Sequence, residues 1–248
     1  MSGELVSLRV LVVTAVPAQQ ELWQQGAALA KVPLDCMAAD ATAAIAMLRK
    51  DGADICIVDH SLPEQQRLGV FGAARAVRPP PLIFLAMSHG SRRPSEVDGV
   101  LGKPSDSDGA RRLIERAARA RIPTRVLIVD DSGTMRSIVR KILAASRFAF
   151  DVHEASEGLG AIELIGSGNF GLVFLDYNMP GFNGFETLSE IKRIAPQVSV
   201  VMMTSTGDSS LAERAHASGA LAFLKKPFYP ADIDSVIERH YGLHMAGP

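Results

Sequence analysis

Cysteine and tryptophan are scarce in this chain of 248 residues, which has two cysteines and one tryptophan. Cys36 and Cys56 are too few for a disulfide framework and too far apart for a paired metal motif, so we expect two small buried side chains. Neither sign of charge dominates, because 26 lysines and arginines face 27 aspartates and glutamates. The composition therefore gives no overall bias toward nucleic acid or anionic lipid.

Long hydrophobic runs are also missing, since no uncharged run approaches the ~18–20 residues of a membrane span. The N-terminal segment MSGELVSLRVLVV lacks a basic region followed by an apolar run and a small-residue cleavage site. We therefore expect a cytoplasmic protein without membrane contact. With 47% apolar residues, the chain has the composition of a folded protein, and its length suggests about two domains at ~100–200 residues each.

The chain contains two copies of one pattern. The segment RVLVVTA begins at Arg9, and RVLIVDD begins 116 residues later. From Thr14 to Asp59 the chain advances 45 residues, and from Asp130 to Asp176 it advances 46. Such agreement over a whole domain indicates that both halves share one fold.

Short apolar runs alternate with amphipathic stretches in the second copy, which predicts five β-α repeats. The runs VLIV, LVFL and VSVVMM are almost continuously apolar, as in a parallel sheet covered by helices on both faces. We predict an α/β chain with two flavodoxin-like, doubly wound parallel-sheet domains in tandem. The expected domains are residues 1–121 and 125–248, because Pro123 disfavours helix just before the next strand.

Acidic residues follow two of the predicted strands. Asp130 and Asp131 follow the first strand of the second copy, and Asp176 ends the third. Carboxyl ends of parallel strands meet at one edge, where three carboxylates would repel one another unless a hard cation such as Mg²⁺ offset them. One carboxylate could then attack a phosphoryl group and form an aspartyl phosphate, while Lys226, after the last strand, binds the phosphate oxygens.

Four motifs in order, DD, DYNMPGFNG, MMTST and AFLKKPF, make the second copy similar to the receiver domains of bacterial two-component response regulators. The resemblance implies Asp176 as phosphoacceptor; Asp130, Asp131, Asp176 and the main-chain carbonyl of Asn178 as the Mg²⁺ site; Thr204 and Lys226 as phosphate ligands; and Thr204 and Phe223 as the switch pair. Lys226 is preferred to Lys225 because it directly precedes Pro227.

Structural interpretations compete with these roles. Acids at strand ends often cap helices, Thr204 could be an ordinary strand terminus, and Phe223 could be a core aromatic. Two other enzyme or cofactor classes fit poorly. A phosphatase of the haloacid-dehalogenase type needs an acid where Asn178 stands, and the two acids after the first strand would repel a flavin phosphate.

The first copy resembles a receiver domain less completely. Asp59, Ser88 and Lys103 stand where the nucleophile, the hydroxyl and the lysine are expected. Thr14 and Ala15 replace the acidic pair, so we predict weak Mg²⁺ binding and inefficient phosphoryl acceptance there. Asp59 and Lys103 are then best explained as a structural ion pair.

A second difference concerns the face around the fourth helix. Ser88 to Lys103 is 15 residues, whereas Thr204 to Lys226 is 22, and the segment SHGSRRPSEVDG lacks helical periodicity. Val100 stands in place of the switch aromatic. We therefore expect a shortened fourth-helix region and a docking or regulatory role for this domain.

Five arginines occupy the predicted last helix of the first copy. We expect them to be solvated or paired with acids of the second domain. Nucleic-acid binding is the alternative, but no recognised nucleic-acid motif accompanies them.

The functional prediction is a response regulator phosphorylated by a histidine kinase or phosphotransfer protein, signalling through a downstream protein partner and possibly as a homodimer. No dedicated enzyme is expected, only self-catalysed phosphoryl transfer to Asp176 and slow autodephosphorylation. No output domain is expected after Tyr241. Two alternatives are that the chain is the receiver pair of a longer protein with an output such as a diguanylate cyclase, or that it is a phosphate sink for a histidine kinase.

Overall fold

The computed structural model describes residues 7–88, 94–206 and 210–243, and these divide into two compact units. The first unit comprises Met1–Arg121 with Tyr241–Pro248, and the second comprises Ile122–His240. The sequence pattern extends the second domain to residue 248. Leu243 instead packs in the first unit, where it is 0% exposed and its carbonyl accepts a 2.8 Å hydrogen bond from the Val100 amide.

The first unit is a five-stranded parallel sheet with the order β2-β1-β3-β4-β5. Its elements are β1 (Leu8–Val13), α1 (Pro17–Ala28), β2 (Leu34–Ala39), α2 (Ala41–Lys50), β3 (Ile55–Asp59), α3 (Glu64–Ala76), β4 (Leu82–Met87), β5 (Gly99–Gly102) and α4 (Ser107–Arg121). Every residue of β3 and β4 is buried, as expected for central strands covered on both faces.

The second unit is another five-stranded parallel sheet, with the order β10-β9-β8-β6-β7. Its elements are β6 (Thr124–Val129), α5 (Gly133–Ala145), β7 (Phe150–Ala155), α6 (Gly158–Ser167), β8 (Leu172–Asp176), α7 (Gly184–Ile194), β9 (Ser199–Thr204), α8 (Ser210–Ala217), β10 (Ala222–Lys225) and α9 (Pro230–Tyr241). The predicted pair of flavodoxin-like sheets is confirmed.

The strand order of the second sheet shows where its binding crevice lies. In the second unit β6 lies between β7 and β8, so the chain winds outward in both directions from β6. The crevice of such a sheet opens outside the carboxyl ends of its strands at this reversal point. Side chains cap the first turns of two helices that follow these strands. The Ser132 side chain caps α5, and Asn183 with Glu186 forms a capping box at α7.

The connection from β4 to β5 in the first unit lacks a helix in its described part, which is residue 88 and residues 94–98. The expectation about its fourth helix also covers residues 89–93, which lie outside the described residues. Buried Asp98 organises the end of this connection, because its carboxylate accepts the Ile83 amide at 2.7 Å and pairs with Arg75 at 2.9 Å. The corresponding connection of the second unit contains α8.

The arginines of α4 have partners within the first unit. Arg111 pairs with Asp108 and Glu115, at 2.8 and 3.0 Å. Arg112 also pairs with Asp108, and Arg116 donates to the Gly242 carbonyl at 2.9 Å. The acids that Arg111 and Arg112 contact belong to their own helix, and Arg121 lies 3.9 Å from Asp54 of the same unit. Among the described helices of both units, none is long and apolar enough to cross a bilayer.

Candidate functional site

Three acidic side chains meet at the carboxyl edge of the second sheet. Asp130 and Asp131 directly follow β6, and Asp176 ends β8. One carboxylate oxygen from each residue lies within 4.8 Å of the others. Asp130 is 0% exposed and Asp176 is 4% exposed, whereas Asp131 is exposed. The structure thus brings together the three predicted carboxylate ligands, with one of them open to solvent.

Lys226 links the two buried acids. It directly follows β10, and its Nζ lies 2.7 Å from Oδ2 of Asp130 and 2.9 Å from Oδ1 of Asp176. Burial alone would lower the pKa of Lys226, but its hydrogen bonds to the two carboxylates outweigh burial and raise that pKa. The side chain is therefore a charged ammonium held directly beside the Asp176 carboxylate.

The pKa of Asp176 is raised above its usual value. Burial is the main cause, the nearby Asp130 carboxylate adds to it, and Lys226 and the main-chain N–H of Asn178 oppose it. A second cation at this edge would offset the remaining negative charge. Three carboxylates are hard oxygen donors of the kind that Mg²⁺ prefers, so these residues fit that ion.

Asp130 is held from several directions. The main-chain N–H of Ser132 donates to its Oδ1 at 2.9 Å, and Arg136 donates to its carbonyl oxygen at 2.7 Å. Arg136 is itself paired with Glu154 at 2.9 Å. Sequence reasoning missed Ser132 and Arg136 as supports, although an Asp-Ser-Gly segment between a strand and a helix is a usable signal for an N-cap.

Thr204 ends β9 beside this edge and is 0% exposed. Asp176 is the register partner of Met203, so Thr204 lies one residue beyond that pair. Its Oγ1 accepts a 3.1 Å hydrogen bond from the Thr206 amide. The Asn178 side-chain amide lies 3.4 Å from the hydroxyls of both Ser205 and Thr206. The loop after β9 is thereby tied to the loop after β8.

Phe223 lies in β10, where it pairs in register with Met202. Its side chain is partly buried and packs against the apolar core of the second unit. The structure therefore places the predicted switch aromatic two strands away from Asp176, since β9 lies between β10 and β8.

The sequence model described as the response regulator receiver domain matches residues 126–238. Chemotaxis protein CheY of Bacillus subtilis is 37% identical over 114 residues, which is 46% of this chain and 92% of CheY. The chain belongs to the response regulator receiver family. Transcriptional regulatory protein PdtaR of Mycobacterium tuberculosis is 38% identical over 123 residues, 49% of this chain and 58% of PdtaR, so the match spans little more than half of that relative.

A solved structure extends the similarity of fold to both units. It is described as a probable two-component system response regulator/GGDEF domain protein, is 20% identical, and has a TM-score of 0.55. The match covers 95% of this chain and 98% of that chain. At this identity it shows that both units have a receiver fold.

The receiver fold allows the two units to be aligned strand by strand. Asp59 ends β3 of the first unit as Asp176 ends β8, and Lys103 follows β5 as Lys226 follows β10. The Thr14 amide donates to Ala39 as the Asp130 amide donates to Ala155, so Thr14 corresponds to Asp130.

Asp59 in the first unit is surrounded by donors from the protein itself. Its Oδ1 is 2.7 Å from Lys103 Nζ and 2.8 Å from the Ser61 amide, and its Oδ2 accepts the Thr14 hydroxyl at 3.0 Å. Burial opposes ionisation, but these hydrogen bonds from Lys103 and Ser61 lower the pKa of Asp59. Across residues 7–88, 94–206 and 210–243, the three-carboxylate group is found in the second receiver unit alone.

The register also decides which residue corresponds to Thr204. Asp59 pairs with Ala86 in β4, so the next residue, Met87, takes the place of Thr204. The hydrogen bond from His60 to Ala86, at 2.9 Å, matches that from Tyr177 to Met203, at 2.8 Å. Met87 is buried, and Ser88, the hydroxyl that sequence spacing favours, is the following residue and is exposed.

Proposed function

We propose that the second unit accepts a phosphoryl group on Asp176 from a histidine kinase or phosphotransfer protein. The observation that carries this proposal is the position of Lys226, whose ammonium lies 2.9 Å from Oδ1 of Asp176 and is shared with Asp130. A lysine held in this way already stands where the added phosphate oxygens would arrive. The positive charge of Lys226 favours the ionised form of Asp176 and offsets the negative charge of the phosphorylated product.

In the transfer step, a carboxylate oxygen of Asp176 forms a bond to phosphorus while the bond from phosphorus to the donor imidazole nitrogen breaks. The electron pair of that bond stays on the imidazole, which then takes a proton from water. Asp130, Asp131, Asp176 and the main-chain carbonyl of Asn178 would hold Mg²⁺, which supplies positive charge to the phosphoryl oxygens. Lys226 and the Thr204 hydroxyl would bind those oxygens.

The switch would begin at Thr204. Its hydroxyl now accepts a hydrogen bond from the Thr206 amide, and it would turn toward Asp176 to donate its own hydrogen to a phosphoryl oxygen there. Phe223 would then move into the space vacated beside β9 and change the surface around α8, β10 and α9. We propose that a downstream protein partner in the cytoplasm reads this surface, by direct contact or through pairing of two copies.

The first unit would serve as a docking or regulatory module that takes no phosphoryl group. The Asp59 carboxylate already accepts hydrogen bonds from Lys103, Ser61 and Thr14. With Met87 at the Thr204 position, the hydroxyl that would hold a phosphate oxygen is also missing. We therefore expect Asp59 to stay unphosphorylated when Asp176 is phosphorylated.

Intact-mass spectrometry after incubation with acetyl phosphate and Mg²⁺ tests both proposals. The wild-type chain should gain one phosphoryl group, Asp59→Asn should gain the same, and Asp176→Asn should gain none. Two groups on the wild type would contradict the role given to Thr14 and Met87. No group on the wild type, with acetyl phosphate or with a phosphorylated histidine kinase, would overturn the acceptor role of Asp176.

A further inference from the structure

A cavity of about 460 Å³ opens in the first unit, away from Asp59. Its lining includes Arg9 near the start of β1, Asp54 just before β3, and Pro79 ahead of β4. It therefore lies at the amino ends of the strands, between the C-terminal ends of α2 and α3, whereas Asp59 lies at the carboxyl end of β3. Its volume falls within the range of small-molecule sites, ~300–1,000 Å³.

The cavity combines an apolar floor with a cationic rim. Leu48 and Ala53, both buried, and Val77 supply apolar surface. Four cationic residues line the same space, namely Arg9, Arg49, Lys50 and Arg78. An apolar surface beside charged groups of one sign suits a ligand that has an apolar body and an acidic group.

Two carboxylates also line the cavity, so the formal charge of the lining is four positive minus two negative, or +2. Asp54 already has partners, because its carboxylate accepts a hydrogen bond from the main-chain N–H of Arg9 at 2.9 Å and lies 3.9 Å from Arg121. Asp51 caps the end of α2, and its carbonyl accepts from Arg9. The cationic groups thus outnumber the acids that could neutralise them.

Two of the arginines are held in place by helix ends. Nη1 of Arg9 donates to the Asp51 carbonyl, and Nη1 of Arg78 donates to the carbonyls of Arg75 and Val77, at 2.8 and 3.0 Å. The other guanidinium nitrogens of Arg9 and Arg78 make no hydrogen bond to any described residue in the ranges 7–88, 94–206 and 210–243. A guanidinium fixed along one edge offers its remaining N–H groups at low entropic cost.

We propose that this cavity binds a small organic anion with an apolar ring or chain. The apolar body would lie on the floor beside Leu48 and Ala53, and a carboxylate, phosphate or sulfonate group would accept hydrogen bonds from the arginine rim. The site is independent of the Asp176 chemistry, and it gives the first unit a ligand of its own.

Isothermal titration calorimetry of the full chain with 1-naphthalenesulfonate tests the proposal. This probe has an aromatic body and one permanent negative charge. Binding to one site is expected with a Kd below about 1 mM, while inorganic sulfate and neutral 1-naphthol each bind at least about tenfold more weakly. If sulfate bound as tightly as the sulfonate, the apolar floor would not contribute to binding. If 1-naphthol bound as tightly, the cationic rim would not contribute. Either result, or no binding of 1-naphthalenesulfonate at all, would contradict the proposed site.

Charge-reversing substitutions test whether 1-naphthalenesulfonate binds in this cavity. Arg49→Glu is the main variant, because Arg49 is exposed and its side chain contacts no other described residue through a hydrogen bond or ion pair, so we expect only a small loss of stability. It should weaken 1-naphthalenesulfonate binding by at least about tenfold, and Arg9→Glu should do the same. The matched control is Arg119→Glu, an exposed position on α4 outside the cavity with the same charge change. Equal weakening by all three variants would show a general charge effect and contradict the site.

Discussion

The hydroxyl of Thr14 donates a 3.0 Å hydrogen bond to Oδ2 of Asp59. At the corresponding place in the second unit, Asp130 and Asp176 are joined through the ammonium of Lys226 instead. With Thr14 in place of an acid, the first unit has one carboxylate beside its lysine, where the second unit has two. This difference separates the two units chemically, although their sheets have the same strand order.

Thr14→Val should destabilise the first unit by about 1 kcal/mol, because the similar-sized valine removes the donor to Asp59 and leaves a buried oxygen without that partner. Trp23 is the single tryptophan of the chain and is 1% exposed in α1 of the first unit, so its fluorescence during urea unfolding reports this unit. Thr42→Val at an exposed position of α2 is the control and should change stability by less than about 0.5 kcal/mol. An equal loss in both variants would contradict the importance of the Thr14 bond.

Lys226→Gln should slow phosphoryl transfer from acetyl phosphate by ~10²-fold, because the ammonium beside Asp176 is lost. Lys225→Gln is a matched control, since Lys225 is the preceding residue and its side chain is exposed at the end of β10. It should leave the rate near that of the wild type. The initial rate of mass gain measures both, and similar slowing in the two variants would argue against a specific role for Lys226.

The first unit should lose stability in acid through Asp59. Its pKa in the folded state is lowered, so the carboxylate stabilises the fold above its unfolded-state pKa of ~3.9. That contribution disappears as the pH falls through the lower, folded-state pKa. The urea midpoint followed by Trp23 should therefore drop more steeply below about pH 4 in the wild type than in Asp59→Asn. Parallel pH curves for the two proteins would contradict the assignment.

Leu243 should contribute to the stability of the first unit although it follows the last helix of the second in sequence. Leu243→Ala removes a fully buried side chain and should cost ~2–3 kcal/mol in unfolding followed by Trp23. Leu68→Ala, at an exposed position of α3, is the control and should cost little. A small effect of Leu243→Ala would show that the first unit does not need this segment.

A second substitution tests the packing around Leu243. A Cβ on Gly99 would lie 2.8 Å from Cβ of Leu243 and 3.2 Å from the Phe84 ring, so Gly99→Ala should be destabilising by ~1–3 kcal/mol. Combining Gly99→Ala with Leu243→Gly should cost less than the sum of the two single changes, because glycine at position 243 lacks the Cβ that the new methyl group would meet. Strict additivity would mean that the two positions do not share this space.

Much of the site could be predicted from sequence. Apolar runs that end in acids locate Asp130 and Asp176 at strand ends, and parallel strands bring their carboxyl ends to one edge. The choice of Lys226 over Lys225 rested on the resemblance to receiver domains, in which the lysine directly precedes a proline, as Lys226 precedes Pro227. The structure places the Nζ of Lys226 against both buried carboxylates.

The position of Ser88 could not be predicted in the same way. Counting residues between motifs can misplace a residue by one position. An error of one position matters in a strand, because successive side chains point to opposite faces of the sheet. The pairing of Asp59 with Ala86 places buried Met87, rather than Ser88, at the position of Thr204. Only the register of β3 with β4 could show this.

The sequence by itself determined the repeated α/β pattern, the two sheets and the carboxylate edge, because these depend on residue periodicity and on the residue types at the strand ends. The tertiary structure alone decided where distant segments meet. It placed Leu243 beside Gly99, gave Asp98 its partner Arg75, and grouped Arg9 with Arg78 around one cavity. Such contacts join residues far apart in the chain, and packing rather than local pattern selects them.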